Sequence, residues 1–359
     1  MRLTQIFLLI FLCASVYGQE SQSFTINFDG QSREYRLFIP SDYDETDARP
    51  LVFALHGFTN SAETIENRSQ FNTIADTANF FVCYPNGIGR AWNVGWQFGS
   101  TADDVGFFDA LIDTLSENFN INQNRIYSTG FSNGGFMSHR LACELNNRIA
   151  AVASVAGGFA PDYFENCNPE RAVPVMQIHG NFDFVVPING GLGITIPIEE
   201  VVNFWVENNA CNSDFSTTSI SSLVELRDWE NCAPNSTVRY FEIERGGHNW
   251  PGSSDSGSNQ DIDASLEIWE FFRQYELNQT SSNENRQIVN SINVSPNPTS
   301  NLLNFNRLVD AYQIFNAYGQ IVATGEVAET ITVSDLPSGI YFGTLESDNN
   351  LFQFTFVKN

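Results

Sequence analysis

Gly130-Phe131-Ser132-Asn133-Gly134 is the one G-x-S-x-G in the chain. A serine hydroxyl is a weak nucleophile. It needs a base to take its proton and an acid to orient that base. The β-rich run Ile126-Tyr127-Ser128-Thr129 precedes the motif and a helix-like segment follows it, so Ser132 falls on a tight strand-to-helix turn. The flanking glycines fit a turn too tight for a Cβ. Of the four histidines, His139, His179 and His248 follow Ser132. His139 lies in the helix directly after the turn, with no room before it for an acid-bearing loop. His179 ends the apolar run Val173 to Ile178, and Asp183 then falls in the loop just past that strand. His248 lies in Gly246-Gly247-His248-Asn249-Trp250-Pro251-Gly252, a loop whose glycines would let an imidazole swing over the serine. The chain order nucleophile, acid, base therefore assigns Ser132, Asp183 and His248. His139 and His179 are left as structural residues.

Acyl transfer through a tetrahedral intermediate also needs backbone N–H donors for the oxyanion. One is expected from Asn133, next after the nucleophile. The other is expected from Phe58, in His56-Gly57-Phe58 after the strand Leu51 to Leu55. Trp92, Trp96 and Trp250 lie near these loops in sequence and are candidates for an aromatic substrate wall, with plain packing as the alternative. Asp103-Asp104 stands at a helix start, where acidic side chains complement the dipole and cap the helix. The acidic loop Asp42 to Asp47 reads as solvated. No His/Cys cluster has zinc-like spacing and no G-x-x-x-x-G-K loop is present, so neither metal nor cofactor is expected.

The elements that must position these residues alternate along the chain. A hairpin is expected over residues 24–39, turning at Asp29-Gly30. Strands at 51–55, 80–84, 125–129, 150–155, 173–178 and 238–243 alternate with helices at 62–78, 105–119, 134–145, 198–206 and 266–275. Apolar strands between helices predict an α/β fold: a mostly parallel sheet with helices on both faces. Residues 277–290 are polar and linker-like. Residues 291–359 hold short alternating runs at 312–315, 321–324, 331–333 and 352–357, which predict a small all-β sandwich.

The chain of 359 residues, 42% hydrophobic, is long enough for one large domain and a small one. Arg2 and the short apolar run Ile6 to Ala14 read as a signal peptide over residues 1–18, leaving the domain with the candidate triad over 19–276. Leu12 before Cys13 is too bulky for a lipoprotein signal, and no segment has the length and apolarity of a membrane span. The formal net charge is −25, and Lys358 is the only lysine. Such a surface repels nucleic acid and anionic membranes. Export leads to an oxidising compartment, where nearest-neighbour pairing gives Cys143–Cys167 and Cys211–Cys232. Cys83, within Phe80 to Tyr84, reads as a free core thiol.

Taken together and in order, Leu55-His56-Gly57-Phe58, Tyr84-Pro85-Asn86-Gly87, Asp103 to Phe107, Gly130 to Gly135, His179-Gly180 with Asp183, and Gly246 to Gly252 resemble the polyhydroxybutyrate depolymerase and feruloyl esterase family. This is an α/β-hydrolase group within carbohydrate esterase family one. The resemblance covers residues 25–275 and implies the same triad and a disulfide at Cys211–Cys232. Phe58 departs from the family, where many relatives carry cysteine. The tail is similar to a type IX secretion C-terminal sorting domain over residues 291–359. Its marks are Val294 to Asn301, Tyr318-Gly319-Gln320, Leu336 to Tyr341 and Phe356-Val357-Lys358. That implies the type IX machinery as a partner, and release or surface attachment outside the cell. The expected activity is release of feruloyl or acetyl groups from plant polysaccharide. An extracellular polyester depolymerase is the alternative enzyme, and a non-catalytic binding protein on a hydrolase fold is the alternative of another class.

Overall fold

The computed structural model describes residues 21–191, 193–277, 294–316, 321–347 and 350–359. The expected signal peptide and nearly all of the expected linker lie outside the described residues. The chain divides into two compact units, Met1–Asn278 and Gln279–Asn359.

The first unit opens with the hairpin of β1 (Gln22–Phe28) and β2 (Gln31–Phe38). Asp29 and Gly30 both take positive φ, at 48° and 71°, the turn geometry that suits the twist of paired strands. The central strands follow: β3 (Arg49–Leu55), β4 (Phe81–Pro85), β5 (Ile121–Phe131), β6 (Ala151–Val155) and β7 (Val175–Gly180). β8 (Ser216–Ser219), β9 (Val224–Trp229) and β10 (Val238–Ile243) complete a ten-stranded sheet in the order β1-β2-β4-β3-β5-β6-β7-β10-β9-β8. Its centre, from β4 through β10, is parallel, and both flanks are antiparallel.

Period-two alternation sorts the strand side chains to the two faces. Leu51, Phe53 and Leu55 join one core with α3 (Asp104–Asn118), α4 (Asn133–Glu144) and α6 (Ile198–Asn208). Val52 and Ala54 join the other with α1 (Ala62–Ser69), α2 (Phe71–Ala78) and α7 (Ala264–Phe272). A short α5 (Pro161–Phe164) follows β6. The chain is thus an α/β-hydrolase sheet covered on both faces.

Three details differ from the periodicity reading. The helix expected over 62–78 is two, broken at Gln70 with φ 54°. The Ser69 carbonyl accepts the Ser265 hydroxyl, which gives the break an external partner. β5 runs further than 125–129 and ends directly against the serine. β8 and β9 were not anticipated: the four residues of β8 are polar and exposed, and β9 carries charged residues between Val224 and Trp229, so neither gives an apolar run.

The second unit contains β11 (Val294–Ser295), β12 (Leu302–Phe315), β13 (Ile321–Thr332), β14 (Gly339–Ser347) and β15 (Asn350–Lys358). They form one antiparallel sheet packed around Leu303, Ile314, Leu345 and Phe356, the small all-β unit expected. A bridge between Thr299 and Lys358 brings the segment after β11 against β15, so the sheet nearly closes on itself.

Both expected disulfides are present, Cys143–Cys167 and Cys211–Cys232, and Cys83 is a buried free thiol whose pKa burial pushes well up. No helix among the described residues is long and apolar enough to cross a membrane. Cys143 lies in the last turn of α4, so its bridge secures the helix that follows the serine. Replacing Cys143 and Cys167 by serine opens a loop of 24 residues. The expected loss is about 3 kcal/mol. Thermal unfolding checks it, as a fall in Tm of roughly 6–12 °C.

Candidate active site

Ser132 sits between the last residue of β5 and the first of α4, with φ 54° and ψ −121°. For a residue with a Cβ this is a strained conformation, costing about 1–3 kcal/mol. The surroundings hold it there. The Ser132 amide donates to the Val155 carbonyl of β6, and its carbonyl accepts from the amides of Gly135 and Phe136. The motif glycines are dictated by contact. A Cβ at Gly130 would stand 2.3 Å from the Gly134 carbonyl carbon, and one at Gly134 would stand 2.2 Å from the Leu55 carbonyl oxygen. The turn therefore packs directly on the loop that begins at His56.

That loop and the turn are tied together by side chains. Asn133 accepts the Trp92 amide at Oδ1 (2.7 Å) and donates from Nδ2 to the Trp92 carbonyl (3.2 Å). The Trp92 indole donates to the His56 carbonyl at 2.9 Å. His56 accepts the Gly87 amide at Nε2, so its proton is on Nδ1 and bonds the Gly57 carbonyl. The Asn133 amide is among the first of α4, which have no partner within a helix. It and Phe58 belong to two segments that Trp92 holds in fixed relation.

Trp92 is thus a buried strut, 1% exposed, and Trp250 is equally buried, against Phe71 with its indole bonded to Ser265. Neither has a face to offer a substrate, which corrects the expected three-tryptophan wall. Trp96 is part-exposed and lies with Phe58 and Phe98 in one aromatic group, with centroids 5.2–6.2 Å apart. Phe58 and Phe98, exposed by 38% and 52%, were the better candidates. Phe98 was missed because it lies in an irregular stretch without a motif.

The candidate acid and base, Asp183 and His248, follow the ends of β7 and β10. A Cβ at Gly180 would meet the Gly246 carbonyl oxygen at 2.2 Å. The two loops approach backbone to backbone, so these glycines serve close packing as well as turning. The approach brings His248 Nδ1 within 2.7 Å of Asp183 Oδ2. Asp183 is fully buried. Its other oxygen accepts the amides of Val185 (2.8 Å) and Val186 (2.9 Å). Burial alone would raise its pKa, but the hydrogen bond and charge of His248 and the Val186 amide outweigh burial and lower it. His248 is part-exposed, with its ring 4.8 Å from that of Phe131, the residue before the serine.

His139 and His179 are buried apart from solvent, bonded to Gln177 and, for His179, to the Val186 carbonyl. Asp103 caps α3 as expected, through Gly106. Asp104 is buried, accepts Arg33 at 2.7 Å and receives the Asn93 amide, so it anchors the segment that carries Trp92. No group of three or more metal-ligating side chains occurs among the described residues.

Comparison with known proteins gives a consistent picture. Residues 100–211 match the phospholipase/carboxylesterase family model, and residues 293–359 match that of the secretion system C-terminal sorting domain. A probable feruloyl esterase C of Aspergillus terreus is 33% identical over 60% of this chain and 76% of the relative. Feruloyl esterase B of Piromyces equi is 30% identical over 68% of this chain, which spans only 46% of that enzyme. An acetyl xylan esterase structure from Aspergillus awamori superposes with TM-score 0.54 at 13% identity, covering 70% of this chain and 99% of that one.

Two predictions follow from this geometry. Gly134→Ala pushes the turn off the Leu55 carbonyl and is expected to lower kcat on the order of a hundredfold, the scale of an ångström-sized misplacement. Steady-state kinetics on a soluble ester with the folded variant measures it. Burial also lowers the pKa of His56 and His139 to about 4 and lowers that of His179. Below an unfolded-state value near ~6.5 the unfolded chain takes up protons that these imidazoles refuse. Their contribution is complete above that pH and is lost as pH falls toward 4. Tm at constant ionic strength should therefore fall over this window, and less steeply in His139→Gln.

Proposed function

The chain belongs to the feruloyl esterase family of α/β-hydrolases and is a carboxylic ester hydrolase with a secretion sorting tail; on that premise we propose that it releases feruloyl or acetyl groups from plant polysaccharide through an acyl-enzyme on Ser132. The observation that supports this most directly is the Asp183–His248 hydrogen bond beside the strained Ser132 turn.

In this reading His248 Nε2 takes the Ser132 proton as Oγ attacks the ester carbonyl. The amides of Asn133 and Phe58 receive the negative oxygen. Asp183 holds the His248 Nδ1 proton and stabilises the imidazolium. The carbon–oxygen bond to the sugar breaks, and His248 returns the proton to the departing alcohol oxygen. Water then repeats the sequence, releasing the acid and restoring the serine. The part-exposed Phe58, Trp96 and Phe98 form an apolar group on the Phe58 side, suited to a planar aromatic acyl chain. Residues 1–18 direct export, 19–276 form the esterase and 277–290 the linker. Residues 291–359 hand the chain to the type IX machinery, for release or attachment at the cell surface.

The test is product release from methyl ferulate, acetylated xylan and polyhydroxybutyrate. Ferulate or acetate is expected, and Ser132→Ala should lose several orders of magnitude in kcat/KM while staying folded. Turnover of polyhydroxybutyrate alone would favour the polyester reading. No turnover of any of the three would favour a binding protein. A Ser132→Ala rate within about tenfold of the parent would remove Ser132 from the mechanism.

A further inference from the structure

Behind the acid loop lies a chain of buried polar side chains that the proposed reaction does not use. Trp205, His139 and Gln177 are 0% exposed and His179 1%. An indole N–H can only donate, and that of Trp205 meets His139 Nδ1 at 3.1 Å. His139 Nδ1 therefore carries a lone pair and the proton is on Nε2, which donates to Gln177 Oε1 at 3.1 Å. This orients the Gln177 amide and leaves its NH2 two acceptors: the Gly157 carbonyl at 2.9 Å and His179 Nδ1 at 3.2 Å. His179 Nδ1 is then a lone pair as well, and its Nε2 proton points at the Val186 carbonyl, 2.9 Å away, with Asp183 Oδ2 at 3.7 Å.

Each imidazole in the series meets a donor at Nδ1 and an acceptor at Nε2, so these bonds fit one proton arrangement. The Val186 backbone is held on both sides of its Cα, its carbonyl by His179 and its amide by Asp183 Oδ1. With the other tautomer, a His179 lone pair would face both the Val186 carbonyl and the carboxylate that holds His248. At the opposite end of the amide, Gly157 packs against Gly135 of the nucleophile helix, where a Cβ on Gly157 would stand 2.8 Å from the Gly135 Cα.

We propose that Gln177 and His179 are positioning residues for the triad: Gln177 sets the His179 tautomer, and the His179 Nε2 proton fixes the Val186 backbone and, through its amide, the Asp183 carboxylate. The proposal rests on the reading of Asp183 and His248 as acid and base. The titratable groups facing His179 are Asp183 and His248, and burial keeps both His139 and His179 uncharged at neutral pH.

The chain has only four histidines, so ¹⁵N-histidine NMR of the whole protein can resolve each ring. His139 and His179 should both be Nε2-protonated and His56 Nδ1-protonated, with no titration between about pH 6 and 8. His179→Gln keeps an N–H near the Nε2 position, whereas His179→Leu removes it. The first should retain kcat within about threefold and the second should lose about tenfold with KM unchanged, the scale of one positioning hydrogen bond. Gln177→Met should lower kcat likewise and release the His179 tautomer. A wild-type His179 that is Nδ1-protonated, or charged at neutral pH, overturns the proposal even if the variants fail to fold. So does equal impairment of His179→Gln and His179→Leu. Failure of the triad reading is separate, since it would show as an active His248→Ala.

Discussion

The backbone of the nucleophile turn lies on the backbone of the neighbouring strand's end with no side chain between them. Gly134 faces the Leu55 carbonyl and Gly130 faces Gly134. Everything at the site is measured from this contact. It goes with a left-handed φ at Ser132 and sets the first amides of α4 beside the His56–Phe58 loop, with Trp92 bonded to both segments. A second contact of the same kind, Gly180 on Gly246, brings together the loops of Asp183 and His248. Two glycine-made contacts at the carboxyl ends of parallel strands thus locate three side chains that lie far apart in sequence. The strain at Ser132 persists because the surrounding hydrogen bonds and packing over-determine it.

Several polar side chains buried around these contacts are paired with one another or with backbone. Arg33 and Asp104 form an ion pair almost without exposure, and Asp104 also receives the Asn93 amide. Such a pair contributes little net stability compared with an apolar substitute, but loss of one partner strands a charge. Its value here is geometric, since Asn93 precedes the loop that approaches Trp96 and follows the strut at Trp92. The imidazoles of His56 and His139 serve as neutral connectors, each with one ring nitrogen donating and the other accepting.

The parallel sheet and its helices were legible because Leu51 to Leu55, Val173 to Ile178 and their counterparts are continuous apolar runs of strand length. Ser132, Asp183 and His248 were nameable from order along the chain, and the structure places Asp183 and His248 in hydrogen-bond contact. Their catalytic roles remain for the proposed experiments. What sequence could not supply was solvent exposure. Trp92 and Trp250 look like substrate-binding residues by type and position, yet both are buried because their indole N–H groups have internal partners. Phe98 has no motif, yet stands half in solvent beside Trp96. Gln177, inside an apolar strand, could not be connected with His139 or Trp205 before the sheet and helices brought them together. The exposed edge strand β8 and the break at Gln70 depend on tertiary partners and leave no periodic trace.

Lys358 lies at the end of β15, so no lysine occurs in the larger unit. Reagents that modify side-chain amines find no target among the groups that build the site. Coupling to a solid support through lysine and lysine-directed labelling act through the tail. A digest by a lysine-specific protease likewise leaves the esterase unit in one piece. The one lysine of the chain thus lies in the tail, apart in sequence from every residue of the proposed site.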